Sequence, residues 1–281
     1  MTQNRCMINK LTKIQTLAVF GLTAAILSAC ASGTTIRPGD SVDEAFEKSM
    51  ELYENERYGD AADAFETVLS IGRGTEYARD AQYYLAKSYY NNNQFQIAAS
   101  EFQRYSASHP RSERRTEAQF MEAMCYYNLS PRYQLDQSDT HRAIERFQLF
   151  IERNPDDELR ADAEEKVDEL RKKLAKKNYH AGRFYMQISE FEAAAIYFEE
   201  TIDNYPETKW AERALADQIQ AYVRYADNSI EERQEERYQK AVESFERYLQ
   251  IFPRGENRER AERYHQRALD GISDAEGLAS S

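Results

Sequence analysis

Cysteine, histidine, glycine and proline are all scarce in these 281 residues, which hold 3, 4, 10 and 6 of them. The cysteines are Cys6, Cys30 and Cys125, too few for the disulfide framework of a small secreted domain. Histidines 109, 141, 180 and 265 are dispersed, and no H-E-x-x-H occurs. There is no glycine-rich phosphate loop either, so neither a metal site nor a nucleophilic site is expected, and no catalytic residue is assigned. Positive charge is also in deficit. With 37 basic against 49 acidic side chains the chain carries a net −12, which excludes the basic stripe of a nucleic-acid binder. Carboxylates such as Asp156-Asp157-Glu158 and Glu231-Glu232 are interleaved with Arg and Lys along the chain and read as solvated helix faces.

Long apolar runs are limited to one, from Ile14 to Leu27, too short and mixed for a membrane span, which needs about 20 apolar residues. It follows Arg5, Lys10 and Lys13, with no acidic residue before Asp40, and ends in Leu27-Ser28-Ala29-Cys30. That is the layout of a secretory signal peptide over 1–29. The Leu-Ser-Ala-Cys ending resembles the lipobox of bacterial lipoproteins, which implies cleavage before Cys30 and acylation of that residue. The alternative is an ordinary signal peptide with an incidental cysteine. Beyond this covalent lipid no cofactor is expected. Several acyl chains, at roughly 0.8 kcal/mol per buried CH₂, make a permanent anchor. Ala31 in place of Asp after the cysteine resembles the sorting signal for the outer membrane of Gram-negative bacteria, here on its periplasmic face. Residues 30–40 read as a tether, and its ten residues from Ala31 to Asp40, small and polar with Pro38-Gly39, reach about 33 Å. Removing 1–29 takes three basic and no acidic residues, moving the net charge from −12 to −15.

Against the general lack of proline, four of the six fall in one repeated phrase. Ala98, Phe102 and Pro110 recur at the same spacing as Ala143, Phe147 and Pro155, as Ala194, Phe198 and Pro206, and as Ala241, Phe245 and Pro253. A fifth copy, Ala61 and Phe65, has Gly72-Arg73-Gly74 where the proline would stand. Twelve and nine residues before the alanine lie Ala86 and Tyr89, or Gly182 and Tyr185. Small, Tyr, Ala, Phe and Pro at these positions match the tetratricopeptide repeat, two antiparallel helices per unit. The small residue admits close helix approach and the proline stops the second helix. The reading is all-α, a tetratricopeptide-repeat solenoid of about five helix-turn-helix units. Insertions are expected near Asn128–Asp139 and Asp227–Glu236, and an extended helix over Asp156–Asn178. The expected divisions are 41–155 for repeats one to three, 156–271 for repeats four and five with the linking helix, and a tail over 272–281.

The first helices of the first three repeats keep a 37-residue spacing. Phe46, Tyr83 and Phe120 are equivalent, as are Met50, Lys87 and Met124, and Tyr53, Tyr90 and Tyr127. In such arrays the first helices line the groove, so these nine form a candidate client-binding ladder, with Tyr179 and Met186 extending it. The competing reading is that these rings are core. Against that, Leu52, Tyr89 and Tyr126 already supply the interhelix position, and rings with polar tips beside adaptable Met suit a surface accepting many sequences.

The cleaved anchor, the repeats and certain phrases together resemble the BamD family of lipoproteins in the outer-membrane β-barrel assembly machinery. The phrases are Tyr58-Gly59-Asp60-Ala61-Ala62, Leu170-Arg171-Lys172-Lys173-Leu174-Ala175, Ala181-Gly182-Arg183-Phe184-Tyr185, Phe191-Glu192-Ala193-Ala194 and Asn204-Tyr205-Pro206-Glu207-Thr208. The chain departs from the pattern at Gly182 and at Ile188-Ser189-Glu190, where a basic-glycine turn is usual. The resemblance implies a BamA-like barrel-forming subunit and other assembly-complex components as partners. It also implies nascent outer-membrane β-barrel proteins as clients, recognised by a C-terminal strand ending in an aromatic residue. A different periplasmic tetratricopeptide adaptor, serving cell division, peptidoglycan enzymes or secretin assembly, is the alternative. A peptidoglycan lyase would need a further catalytic domain for which the repeats leave no room.

Overall fold

The computed structural model describes residues 36–279, so Cys30, the 1–29 leader and most of the 30–40 tether lie outside the described residues. Those described form eleven helices and no strand. In order they are α1 (Val42–Glu54), α2 (Tyr58–Ile71), α3 (Glu76–Asn91), α4 (Phe95–Ser108), α5 (Arg115–Leu129), α6 (Ser138–Arg153), α7 (Arg160–Gln187), α8 (Phe191–Asn204), α9 (Lys209–Asp227), α10 (Glu231–Ile251) and α11 (Arg258–Ala279). The fold is the all-α tetratricopeptide type, short turns joining each helix to the one packed beside it.

The repeated phrase accounts for this arrangement. Ala61, Phe65, Ala98, Phe102, Ala143, Phe147, Ala194 and Phe198 are fully buried, as is Ala241, while Phe245 is nearly so. Each proline stands two residues beyond a helix end: Pro110 after Ser108, Pro155 after Arg153, Pro206 after Asn204 and Pro253 after Ile251. A residue before proline is pushed out of the helical region. Asn154, Tyr205 and Phe252 accordingly take ψ of 63°, 50° and 57°. Gly182 on α7 faces the ring of Phe198 on α8, where an added Cβ would stand 2.6 Å from Cε1.

The turns inside the repeats share a second feature. Glu56, Asn93 and Ser189 have φ of 57°, 59° and 64°, a left-handed conformation unfavourable for residues bearing a Cβ. Ser189 lies within Ile188-Ser189-Glu190, the segment where the resemblance led to the expectation of a basic-glycine turn. Ser189→Gly should therefore stabilise the protein by about 0.5–1 kcal/mol. Urea denaturation checks this, and a lower midpoint would show that the serine side chain contributes more than its backbone costs.

Two compact units emerge, one ending at Glu101 and the other beginning at Phe102. In the first, α1–α3 close over Ala45, Leu52, Ala61, Phe65, Val68 and Leu85. Ile36 packs on that core, and Asp40 accepts a hydrogen bond from the Arg37 amide and another from Lys48, each at 2.6 Å. The end of the expected tether is thus fastened to the body. In the second unit α7 runs unbroken for 28 residues. Its first half, through Ala163, Val167 and Leu170, shares a core with Phe147 and Phe150 of α6. Its second half brings Tyr179, Tyr185 and Met186 to the core built on Phe198, Ile219 and Phe245. The expected division at 155/156 falls in the turn between α6 and α7, just before this helix shared by the third and fourth repeats.

The insertions are also tied down. Gln137 donates its side-chain amide to the carbonyls of Arg132 and Leu135 at 2.9 and 3.0 Å, closing the 130–137 loop. Lys173 and Lys177 of α7 hold that loop through Ser130 Oγ and the Leu135 carbonyl, both at 2.7 Å. The 227–236 insertion is mostly helical: only residues 228–230 separate α9 from α10. Residues past 271, expected as a tail, continue α11 to Ala279, with Ile272 packed against the core.

Candidate functional site

The ladder positions divide between the units. On α1, Phe46, Met50 and Tyr53 fall at helical spacings of four and three residues on one face, and a capping box between Ser41 and Glu44 fixes the start of that helix. All three are half-buried against the first core. The Phe46 ring lies 6.0 Å from Phe65 on α2 and 5.4 Å from Tyr77 on α3. Tyr53 meets Tyr58 and Tyr84 edge-on at 5.5 and 5.3 Å, and its hydroxyl accepts from Asn91 of α3 at 3.0 Å. On α3, Lys87 and Tyr90 are half-buried. Tyr83 is only 2% exposed, so it is core and offers nothing to a client. Repeat spacing fixed the helix face it sits on, and the ring is covered there, with Tyr84 edge-on at 5.5 Å and the Lys87 ammonium 5.5 Å from its centre.

In the second unit Phe120, Met124 and Tyr127 are half-buried on α5 against another core. Phe120 sits edge-on to Phe147 and Phe150 at 5.7 and 5.6 Å. The Tyr127 hydroxyl donates to Glu169 of α7, and Lys166 lies 5.1 Å from its ring. That hydrogen bond is the main reason the phenol is held above its ordinary pKa and the Glu169 carboxyl below its own. Tyr53 and Tyr127 thus play one part, joining the first helix of a repeat to the first helix of the next. The competing core reading is half right: these rings wedge helices together and leave part of each face uncovered. Tyr179 is drawn inward, its hydroxyl donating to Asp217 at 2.9 Å, with burial raising its pKa to about 12.

Other groups gave no signal in the sequence taken position by position. Asp217, at the centre of α9, is fully buried. It pairs with Arg183 of α7 at 3.2 Å and Arg260 of α11 at 2.6 Å, besides the Tyr179 hydroxyl. Arg171 of α7 grips the turn after α8, bonding Glu207 through Nε and Nη2 at 2.6 and 3.1 Å and the Asn204 carbonyl at 2.7 Å. Its guanidinium also lies 5.2 Å from the Tyr205 ring centre. Two phrases 33 to 36 residues apart, Leu170–Ala175 and Asn204–Thr208, are in this way one structural device. Phe184, Ile188 and Ile196 are each at least half exposed, and Tyr185 stacks on Tyr197 at 5.1 Å among them in the sequence.

Among the described residues no group of three or more His, Cys, Asp or Glu side chains could hold a metal ion. His109, His180 and His265 each contact aromatic rings, His265 stacking on Phe245 at 4.1 Å. Cys125 is buried, which pushes its thiol pKa far up and leaves it unreactive. No described helix is long and apolar enough to cross a membrane.

Residues 38–236 match the protein family described as YfiO, outer membrane lipoprotein. A curated relative is the outer membrane protein assembly factor BamD of Rickettsia prowazekii (strain Madrid E), 34% identical over 88 residues. That segment spans 31% of this chain and 35% of the relative, about a third of each. Among solved structures, a TPR repeats protein from Bacteroides fragilis NCTC 9343 is 13% identical, with a TM-score of 0.44, covering 82% of this chain and 98% of that one. The TPR2AB domain of yeast Sti1, from its pHSP90 complex, is 14% identical, with a TM-score of 0.37, covering 81% and 98%.

Proposed function

The chain belongs to the YfiO family of outer membrane lipoproteins, and on that premise we propose that it is a non-catalytic scaffold of the outer-membrane β-barrel assembly complex. It binds the barrel-forming, BamA-like subunit and receives nascent outer-membrane β-barrel proteins for folding and insertion. It is held at the periplasmic face of the outer membrane by lipid on Cys30. The observation that carries this reading is the extent of the family match, which runs from residue 38 to 236 and so reaches into both units and includes the Arg171 clamp. The Rickettsia relative, named as an outer membrane protein assembly factor, supports it.

The half-buried rings suit a client receptor of modest affinity. A fully buried aromatic contributes roughly 1.5–3 kcal/mol, and rings already half covered contribute less each. Binding then sums over several weak contacts and stays tolerant of sequence. The exposed Phe184, Ile188 and Ile196 provide a separate apolar surface for a stable partner.

The test is affinity capture of the mature, detergent-solubilised lipoprotein from its own envelope, read by mass spectrometry. A large outer-membrane barrel protein with periplasmic repeats is the expected companion. Recovery of cell-wall or division enzymes without that barrel would replace this reading with the adaptor one. In the same cells, Cys30→Ala should move the protein from the membrane fraction to the soluble periplasm. Full membrane retention of that variant would end the claim of a lipid anchor.

A further inference from the structure

Near the N-terminal end of α5 the second unit has a half-open cavity of about 210 Å³, walled by the C-terminal parts of α4 and α6. Three guanidinium groups line it, from Arg115 on α5 and from Arg146 and Arg153 on α6, and Glu122 is the one acidic side chain in its wall. Arginine keeps its charge in any such setting, so the cavity holds two surplus positive charges in a chain whose net charge is −12.

The pairing within the wall is incomplete. Arg146 approaches Glu122 at 3.4 Å. Among the described residues neither Arg115 nor Arg153 forms an ion pair, Arg153 acting on Glu122 only at longer range, and the Nε–H of Arg115 is buried without any acceptor. Buried donors are ordinarily satisfied, and this unsatisfied one belongs to a residue that lines the cavity. Burial raises the pKa of Glu122, and the nearby Arg146 and Arg153 only partly offset this, with exposed Glu145 adding to the rise. The lone acid in the wall is therefore poorly placed to neutralise the arginines.

The rest of the lining says what kind of anion fits. Phe150 and Leu149 form an apolar side to the cavity, and Gln119 adds an amide already engaged with Asn154 at 3.2 Å. A bare oxyanion would leave the apolar side uncovered. A carboxylate on a short aliphatic stem satisfies both: the stem lies on Phe150 and Leu149, and the carboxylate enters the guanidinium forks. We propose that this cavity is a docking site for an acidic side chain, aspartate or glutamate, carried on an extended segment of a partner polypeptide. The site lies outside the aromatic ladder and does not depend on which complex the chain joins.

The test is fluorescence anisotropy of the mature protein with a fluorescein-labelled hexapeptide of alternating glutamate and leucine, compared with its glutamine counterpart. The acidic peptide should bind about tenfold more tightly, the size of effect that charge-assisted bonds give. The Arg115→Gln, Arg153→Gln double variant should abolish that preference, and circular dichroism will report whether it keeps its helices. Glu122→Gln, which removes the competing acid, should tighten binding about threefold, a gain that loss of a structural contact would not produce. Equal binding of both peptides, or an acidic preference that survives loss of the arginines, overturns the proposal. So does displacement of the acidic peptide by inorganic phosphate but not by chloride of equal ionic strength, which would make the cavity a phosphate site.

Discussion

Asp217→Asn should lower the stability of the second unit by about 2–3 kcal/mol. Removing one member of a buried ion pair commonly costs about 3–5 kcal/mol, because the partner charge is left without compensation. The lower figure applies since the side chains of Arg183 and Arg260 are 43% and 28% exposed and regain some hydration. Asp217 itself is fully buried; its Oδ2 accepts hydrogen bonds from Tyr179 and Arg183 on α7, and Arg260 on α11 balances its charge from 2.6 Å. The asparagine side chain keeps an oxygen for one of them and turns an N–H₂ toward the rest. Urea denaturation followed by circular dichroism measures the effect. A midpoint unchanged from the native protein would mean that the two arginines find water readily and that the network adds little.

Gly182→Leu should be comparably damaging through packing alone. Even a Cβ there meets the Phe198 ring at 2.6 Å, and Phe198 is fully buried. Overpacking of this sort costs about 1–3 kcal/mol, occasionally more. Gly182→Ala should show a smaller loss, because part of the clash is offset by the better helix propensity of alanine, about 1 kcal/mol. Thermal unfolding of the two variants side by side is the measurement. A leucine variant that melts with the native protein would show that α7 and α8 do not approach at this glycine.

How much of this was legible in the residues follows from what kind of force each feature uses. The alanine, phenylalanine and proline phrase is legible because a two-helix unit has one tight crossing, one ring that fills it and one stop, each at a fixed distance along the chain. Every copy of the alanine and phenylalanine is buried, and each proline lies just past a helix end. The glycine at 182 was legible on the same grounds. The ladder was legible as a face but not as a surface, since spacing says which way a side chain leaves its helix and not what covers it. Hence Tyr83 is sealed while Phe46, at the equivalent position, is half open. Asp217 was not legible at all. An acid in the middle of an amphipathic helix looks solvated until its partners are known, and they lie 34 to 43 positions away on other helices. The three arginines of the cavity were hidden similarly, one on α5 and two on α6, with nothing between them to suggest convergence.

The unbroken course of α7 has a mechanical consequence. At about 1.5 Å per residue its 28 residues make a strut roughly 42 Å long. Its first half is set in the packing of α6 and its second in that of α8, with the Arg171 clamp between the two. Were a flexible turn placed between the third and fourth repeats, a load on one would be absorbed there as bending. A continuous helix resists such bending, so the third and fourth repeats share one stiff element.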